Sequence, residues 1–544
     1  MLKKHQDRNQ LQMMSLEMAI DKNSIVRVID VFVDLLDLKE IGFIVKGRIK
    51  NGAPAFHAAD LLKLYFYGYL NRVRSSRRLE REAITNLEAI WLIKGCRPGY
   101  KTIADFRKDN PKALKNVFLI YNRFLLEQDL FDTDTVAIDG SKFQGQNSTK
   151  NNYNEKKVKQ HLDHIEKQTQ QYLDEMDQLD QVEIETEIEV EQRIELSQKL
   201  DHLQKRKDKY TDLDQKIKKA RTQGHTQIST TDPDARALPK RMNVVQVGYN
   251  IVTAADLKNK LITNFKVANQ LDTYLLADLA KDARVVLQKK ENEKLTVLAD
   301  KGFDTASELK ECAENNITTI VAVKKRLSNK KNKAFAKNKF YFDEEKNEYR
   351  CPENHPLTTN GNWYKKKAYS QHRAEYKFQR YTCSHTICFA CPFKEDCVGS
   401  PLKQRKGRLI ERSESESYIE ENTERYHLNK ELYRKRQATV EHQFGIIKRQ
   451  WGFDYTLLKT KKKVTGEFAI IFTCFNIRRS MSILGVTELI KRLKAACRSL
   501  EIAFPTILSF FSVFYFFNYN NAFAGFKKTS RLEWRFKTFG VYFE

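Results

Sequence analysis

Val26, Ile29, Phe32 and the pair Leu35-Leu36 recur at helical spacing, and Leu61, Leu64, Tyr65 and Gly68 repeat the pattern further on. The second face leads into Asn71-Arg72-Val73-Arg74-Ser75-Ser76-Arg77-Arg78, and Thr102-Ile103-Ala104-Asp105 opens another short helix. Residues from about 20 to 130 therefore read as a compact helical domain with a basic face. The texture changes at Thr135-Val136-Ala137-Ile138, a short apolar strand ending in Asp139-Gly140. From about 150 to 220 the chain is almost free of Gly and Pro. There Leu173, Met176, Leu179 and Val182, then Leu196, Leu200 and Leu203, recur near helical spacing. Val182, Ile184, Ile188 and Val190 alternate with glutamates between the two sets and mark a break between two helices. The pattern predicts a long helical hairpin or coiled coil inserted into a surrounding fold, with a spacer and a dimerisation arm both open as its role.

Strands return at Val244–Ala254 and Leu261–Val267, with Asp256-Leu257-Lys258-Asn259-Lys260 as turn residues between them. Tyr274–Leu287 reads as a helix and Leu295–Ala299 as a strand ending in Asp300. Thr305-Ala306-Ser307-Glu308 has the form of a capping box that starts the next helix, and Ile317–Val323 is a further strand. A basic, Cys-rich stretch runs to about residue 410, and Tyr433–Gln450 reads as a helix. With the insertions removed, a strand and a hairpin pair precede alternating helices and strands. That order indicates an α/β protein whose mixed sheet is ribonuclease H-like.

Composition narrows the partners. The chain has 544 residues and a formal net charge of +26. So large a surplus works against compactness unless a polyanion neutralises it, and nucleic acid is the polyanion that the charge favours. The first residues lack an apolar secretory h-region, and the nine cysteines, odd in number and crowded into one segment, argue for reduced thiols; a cytoplasmic, nucleoid-associated chain is expected. The apolar run Thr506–Phe517 is shorter than the roughly 20 residues of a membrane helix, so no membrane partner is expected.

Asp139 and Asp300 each follow an apolar strand, where buried backbone gives way to the sheet edge. A carboxylate there with no cation partner is costly. Two metal ions activate a water or a 3′-hydroxyl and stabilise the leaving oxygen of a phosphodiester, and about three converging acids would serve them. Val440, Phe444, Ile447 and Trp451 form an apolar stripe that packs the late helix on the sheet, with Glu441, Gly445 and Lys448 on the stripe beside it. Lys448-Arg449 is placed to contact phosphate. Periodicity alone does not select Glu441 from its neighbours, and a turn or surface role stays open for each acid taken singly.

Several stretches carry a family resemblance. Val26-Arg27-Val28-Ile29-Asp30, the run from Pro54 through Leu61-Leu62-Lys63-Leu64 to Tyr67-Gly68-Tyr69, Arg74-Ser75-Ser76-Arg77-Arg78-Leu79-Glu80 and Thr102–Arg107 resemble the InsH-type N-terminal domain of bacterial insertion-sequence transposases of the DDE class. Ala137-Ile138-Asp139-Gly140-Ser141-Lys142-Phe143, Leu298-Ala299-Asp300-Lys301-Gly302-Phe303 and Val440-Glu441-His442-Gln443-Phe444-Gly445-Ile446-Ile447-Lys448-Arg449 are similar to that class's three acidic motifs. The resemblance implies Mg²⁺ or Mn²⁺ held by Asp139, Asp300 and Glu441, phosphate contact by Lys448, and cleavage and strand transfer at terminal inverted repeats. It also implies double-stranded DNA, at the transposon ends and at the target, as partner and at least two subunits on it. Arg72, Arg74, Arg77, Arg78, Lys324, Lys448, Arg449 and Trp451 are the expected DNA-binding residues. A related branch has Arg four residues before the Glu; here that place is Gln437, with Arg436 one earlier, so no catalytic arginine is assigned. A DNA-binding protein that has kept the fold and lost the chemistry is the alternative.

The cysteines add a second expectation. Cys351, Cys388, Cys391 and Cys397 have the spacing of a structural Zn²⁺ ribbon, with Cys383, His355 and His385 as competing ligands and unmetallated thiols as the other reading. The expected domains are a helical N-terminal DNA-binding domain (1–130), a catalytic core (131–150, 240–326 and 426–485), a helical insertion (151–239), a basic Cys-rich insertion (327–425) and a C-terminal tail (486–544). The Phe-rich tail reads either as a buried element or as sequence altered by mutation.

Overall fold

The computed structural model describes residues 14–44, 54–180, 187–222, 226–239, 245–324, 333–366, 376–398 and 407–502. Two units are distinguished, Met1–Ile490 and Lys491–Glu544, and the account below concerns the first. Val182, Ile184 and the aromatic run Thr506–Phe517 lie outside the described residues.

The N-terminal part is helical, as its periodicity predicts. It includes α1 (Ile25–Asp34), α2 (Ala58–Leu70), α3 (Ser76–Thr85), α4 (Tyr100–Asp109) and α5 (Pro111–Glu127). Pro111 at the first turn of α5 gives up an N–H that would have no intrahelical partner there. Ser24 caps α1 by accepting from Val26 N at 3.3 Å.

Strand β1 (Thr135–Gln144) follows. It is longer than its apolar segment, because Asp139 lies inside it rather than after it. The cause is pairing: β1 stays hydrogen-bonded to an antiparallel neighbour from Val136↔Asp256 to Gln144↔Gly248. The chain then leaves the sheet as an arm of two long helices, α6 (Glu155–Asp180) and α7 (Glu187–Thr222). Asn152–Asn154 pairs with Gln227–Ser229 at the root of this arm. Tyr153, Val158, Ile165, Leu203, Tyr210, Leu213 and Ile217 form a buried core near that root. Leu173, Ile188, Val190 and Ile194 are exposed.

Back at the sheet come β2 (Arg236–Pro239), β3 (Val245–Asp256), β4 (Ile262–Ala268), α8 (Leu276–Val286), β5 (Leu295–Ala299), α9 (Ala306–Glu314) and β6 (Ile317–Val321). The strand order is β2-β3-β1-β5-β6, with β4 also on β3. The β1–β3, β2–β3 and β3–β4 pairs are antiparallel, whereas β1–β5 and β5–β6 are parallel. The predicted capping box at Thr305 does not form. Thr305 makes no side-chain cap bond, and Glu308 turns away to accept from Ala277 N, near the start of α8, at 2.9 Å.

The Cys-rich stretch is a second six-stranded sheet: β7 (Tyr341–Asp343), β8 (Glu348–Arg350), β9 (Pro356–Thr359), β10 (Tyr364–Lys366), β11 (Tyr376–Cys383) and β12 (Leu409–Ser413). All its pairs are antiparallel, in the order β10-β11-β9-β8-β7 with β12 on β11. Then come α10 (Glu416–Leu428), α11 (Lys430–Phe444) and α12 (Lys461–Leu484).

Helix α12 is buried along most of its length, from Val464 to Ser480, as a helix apolar on nearly every face should be. Its few polar groups are matched. Asn476 donates to Asn122 Oδ1 and to Ile262 O, both at 2.8 Å, and accepts from Ile262 N at 2.9 Å. These bonds tie the N-terminal helices to β4, so the mixed α/β sheet and the helical part share one core. Among the described residues, no single helix is long and apolar enough to cross a membrane.

Candidate functional site: acids at the ends of parallel strands

The last paired residues of β1 and β5 are Ile138 and Ala299. Asp139 and Asp300 come next on the two strands. Adjacent strands run about 4.8 Å apart, so their register brings the two acids together. Beyond Ala299 the chain turns into the short helix Lys301–Phe303, which frees one side of β1 at Asp139.

Asp139 is largely enclosed, with its side chain 28% exposed. Its Oδ1 accepts from Gly140 N at 2.9 Å, and Arg436 Nη1 lies 3.6 Å from Oδ2. Burial pushes its pKa up to about 6; Arg436 and the Gly140 N–H pull it down, while Asp272 and Asp300 push it further up. The acid is thus mostly ionised at neutral pH, but under pressure from two other carboxylates.

Asp272 is the acid that sequence reasoning missed. It opens the short helix Asp272–Tyr274, four residues after β4 ends. Asn250, itself buried, donates to Asp272 Oδ1 at 2.8 Å and to Gln270 O at 3.2 Å. The glycines after the two predicted acids pack on this carboxylate. A Cβ on Gly140 would stand 2.3 Å from Asp272 Oδ1, and one on Gly302 would stand 3.3 Å from Oδ2. Its position just past a strand end was a usable signal, but a turn aspartate is common enough to pass unremarked.

Glu441 sits differently. Its helix α11 is fixed to the sheet by Gln443, which donates to Thr253 Oγ1 at 2.8 Å, and Thr253 is the register partner of Asp139. Val440, Phe444, Ile447 and Trp451 are all buried, as the predicted stripe requires. Glu441 is exposed and accepts from Gln437 Nε2 at 3.0 Å. The helix residue that reaches Asp139 is Arg436, left unassigned in the sequence. Past Phe444 the helix widens into a π-helical turn, Gly445–Gln450, a distortion frequent at functional sites.

The expected DNA-binding residues divide. Arg72, Arg77, Arg78 and Arg449 are exposed. Lys448 donates to Lys142 O at 2.5 Å with its ammonium 4.0 Å from the Phe143 ring, and Lys324 donates to Asp304 O at 2.8 Å. Two of the expected residues are enclosed. Arg74 is buried: it donates to Tyr455 O at 2.8 Å, lies 3.6 Å from Glu467, and packs on the Phe453 and Tyr455 rings at 4.3 and 4.5 Å. Trp451 is buried too, with its ring 5.6 Å from that of Phe453, and has no face free for a base.

The zinc expectation also changes. Cys351, Cys383, Cys388, Cys391 and Cys397 line a cavity of about 30 Å³ together with His355. Among the described residues, however, no group of three or more His, Cys, Asp or Glu is arranged to hold a metal ion. Cys383 and Cys397 are core residues of the second sheet, and Cys351 and Cys388 pack against that core. Cys351 Sγ accepts from His355 N at 3.2 Å and Cys388 Sγ from Arg408 N at 3.4 Å.

Comparison with known proteins finds two transposase domains in the chain. The family described as "Transposase DDE domain" matches residues 225–477, and "Transposase domain (DUF772)" matches residues 14–109. Asp300 and Glu441 fall within the first match, whereas Asp139 falls between the two. No curated protein matches the chain. A solved structure described as "Cryo-EM structure of piggyBac transposase synaptic complex with hairpin DNA" matches at 10% identity over 89% of this chain and 81% of that one, with a TM-score of 0.32. A likeness that loose carries no argument here. The two family matches together span more than half of the sequence, and the chain belongs to the DDE transposases.

Proposed function

We propose that this transposase binds the terminal inverted repeats of a bacterial insertion sequence and, with a divalent metal, cleaves and joins DNA there. The observation that carries the reading is the pairing of Ile138 with Ala299, which sets Asp139, inside β1, beside Asp300, just past the end of β5. The strand order β4-β3-β1-β5-β6, antiparallel in its first pairs and parallel in its last, supports a ribonuclease H-like core. On this reading 1–130 binds DNA, 131–150, 240–326 and 426–485 form that core, and the arm and the second sheet are insertions into it.

The donor set suits Mg²⁺ or Mn²⁺. Mg²⁺ is commonly held by one or two carboxylates, with waters and substrate phosphate oxygens as its other ligands. Asp139 and Asp300 supply such a pair, ionised at neutral pH in the case of Asp139. Glu441 is assigned as the third ligand by its motif; its carboxylate is exposed and bonded to Gln437. When bound, the ion polarises the phosphodiester and activates the attacking oxygen. The protein's own part is to hold the acids on rigid strand ends, to offset their charge with Arg436, and to bind phosphate through exposed Arg72, Arg77, Arg78 and Arg449, with Lys448 beside them. At least two subunits acting on paired ends, in the cytoplasm, complete the reading.

The test uses labelled transposon-end DNA with Mg²⁺ or Mn²⁺. Cleavage and joined product are expected, and Asp139→Asn removes both while end binding persists. Binding without cleavage is the second reading, favoured by the exposed position of Glu441. If Asp139→Asn still cleaves, the assignment of that ligand is wrong.

A further inference from the structure

We propose that the outer half of the two-helix arm is a docking surface for the same arm of a second copy of this chain, the two arms lying antiparallel. The inference stands apart from the DNA-cleavage reading, because association of this kind needs neither DNA nor metal.

The arm changes character along its length. Near its root Val158, Ile165, Leu203 and Leu213 are buried in one core. Farther out the apolar residues lie open: Leu173 is 43% exposed, Ile188 68%, Val190 41% and Ile194 55%. Two helices bury one stripe each against the other, and these four side chains are left outside that contact. Apolar groups gathered in this way on a projecting element mark a surface that a partner covers. Charge says which partner. From Leu173 to Glu195 the sequence has ten acidic residues and one basic, Arg193, whereas from Leu196 to Thr222 it has nine basic and four acidic. In the inner half Asp212 and Asp214 are held by Lys216 and Lys218 of their own helix, at 2.6 and 2.7 Å, while Lys205, Lys207, Lys209 and Lys219 are exposed. In the outer half Asp174, Asp177, Glu187 and Glu191 are exposed. The arm is thus acidic toward its tip and basic toward its root. An acidic tip repels nucleic acid, so DNA is not its occupant. A second arm laid antiparallel about a two-fold axis sets each acidic half on a basic half, and it covers the open apolar residues of both. A parallel pair would oppose like charges along its whole length. Helix α6, 26 residues and so about 39 Å long, gives room for several turns of contact.

The measurement is sedimentation equilibrium of the full chain, without DNA, on wild type and variants of the arm. Wild type should form a dimer whose population rises with concentration. Ile188→Gln together with Ile194→Gln should raise the dissociation constant about 100-fold, the loss of two buried isoleucines. Asp177→Lys with Glu191→Lys at the tip, and separately Lys205→Glu with Lys209→Glu nearer the root, should each raise it about 10-fold. All four charge changes in one chain should return it to near the wild-type value, because the reversed halves match again. Every residue changed is exposed, so helix content and melting temperature should stay near wild type. The apolar and the charge variants test the surface separately, so one set answers if the other fails to fold. A wild type that stays monomeric, or a dimer that keeps its affinity without Ile188 and Ile194, overturns the inference. Weakening by both charge pairs with no recovery in the combined chain overturns it as well, since the antiparallel match is then absent.

Discussion

Among the described residues two sheets have six strands each, and they are built in opposite ways. The first gathers strands from residues 135 to 321, pairs β1, β5 and β6 in parallel, and keeps Asp139, Asn250 and Asp256 in or beside its interior. The second is made between residues 341 and 413 from antiparallel neighbours, around Tyr349, Tyr381 and Leu357, with two thiols in its core. Tyr349 and Tyr381 meet edge-on, their ring centroids 5.2 Å apart. A core of that kind gains from packing and asks little of charge. The first sheet retains buried polar groups that simple packing would discard, and Asp139 among them lies where the parallel pairing of β1 with β5 stops. Reactive groups sit where stability alone would not put them, whereas the thiols sit where stability alone would.

The largest expected effect would break this contrast outright if it failed. Asp139→Asn should reduce metal-dependent cleavage to the level without added metal, while Cys388→Ser leaves cleavage standing. The reverse result, in an end-cleavage assay, would make the second sheet the seat of the chemistry. Next comes Arg74→Ala, which strips the buried Glu467 of its cation and should cost about 3–5 kcal/mol in urea unfolding. Loss of DNA affinity with unchanged stability would instead restore Arg74 to the DNA-binding surface. Leu357→Ala, at a fully buried position of the second sheet, should cost about 3 kcal/mol. Hydrogen exchange should quicken in β7–β12 and stay slow in β1, β3 and β5; a uniform rise would show that the two sheets unfold together.

The smallest effect is on pH dependence. The pKa of Asp139, near 6 when folded against an ordinary 3.8, means that folding disfavours its ionised form. Metal-free stability from this group is therefore full below about 3.8 and is lost as pH rises through about 6. Asp139→Asn should gain on wild type by about 2 kcal/mol between pH 4 and pH 7. Asp256, also pushed up to about 6, is present in both chains and cancels. A constant difference across that range would contradict the crowding of acids at the strand ends.

Much of the first sheet was legible in the chain. Leu295–Ala299 is bounded by polar residues and stands as read, and Val244–Ala254 and Leu261–Val267 differ from β3 and β4 by a residue or two. Strand β1 was legible only in its apolar half, because its later residues are held by β3 and not by their own hydrophobicity. The second sheet was hidden: its strands are short, its aromatic residues are interleaved with lysines, and its core comes from segments far apart in sequence. Of the site, Asp139 and Asp300 could be read from strand ends. Asp272 could not, because its meaning comes from two distant glycines. Nor does a run such as Arg72–Arg78 tell which arginine turns inward.

The two-helix arm bears on how the first sheet is reached at all. Strands β1 and β3 are separated by about a hundred residues, and closing so long a loop is slow. Most of that separation is the arm itself, and the arm closes on its own. Its helices form from contacts that are local along the chain, and the ribbon at its root returns residue 227 to the side of residue 154. Once the arm has closed, β1 and β3 are joined by an effective linker of a few tens of residues, and the entropy of bringing them together is correspondingly smaller. An insertion that looks like a burden on the fold thus offsets, by closing on itself, most of the separation that it introduces.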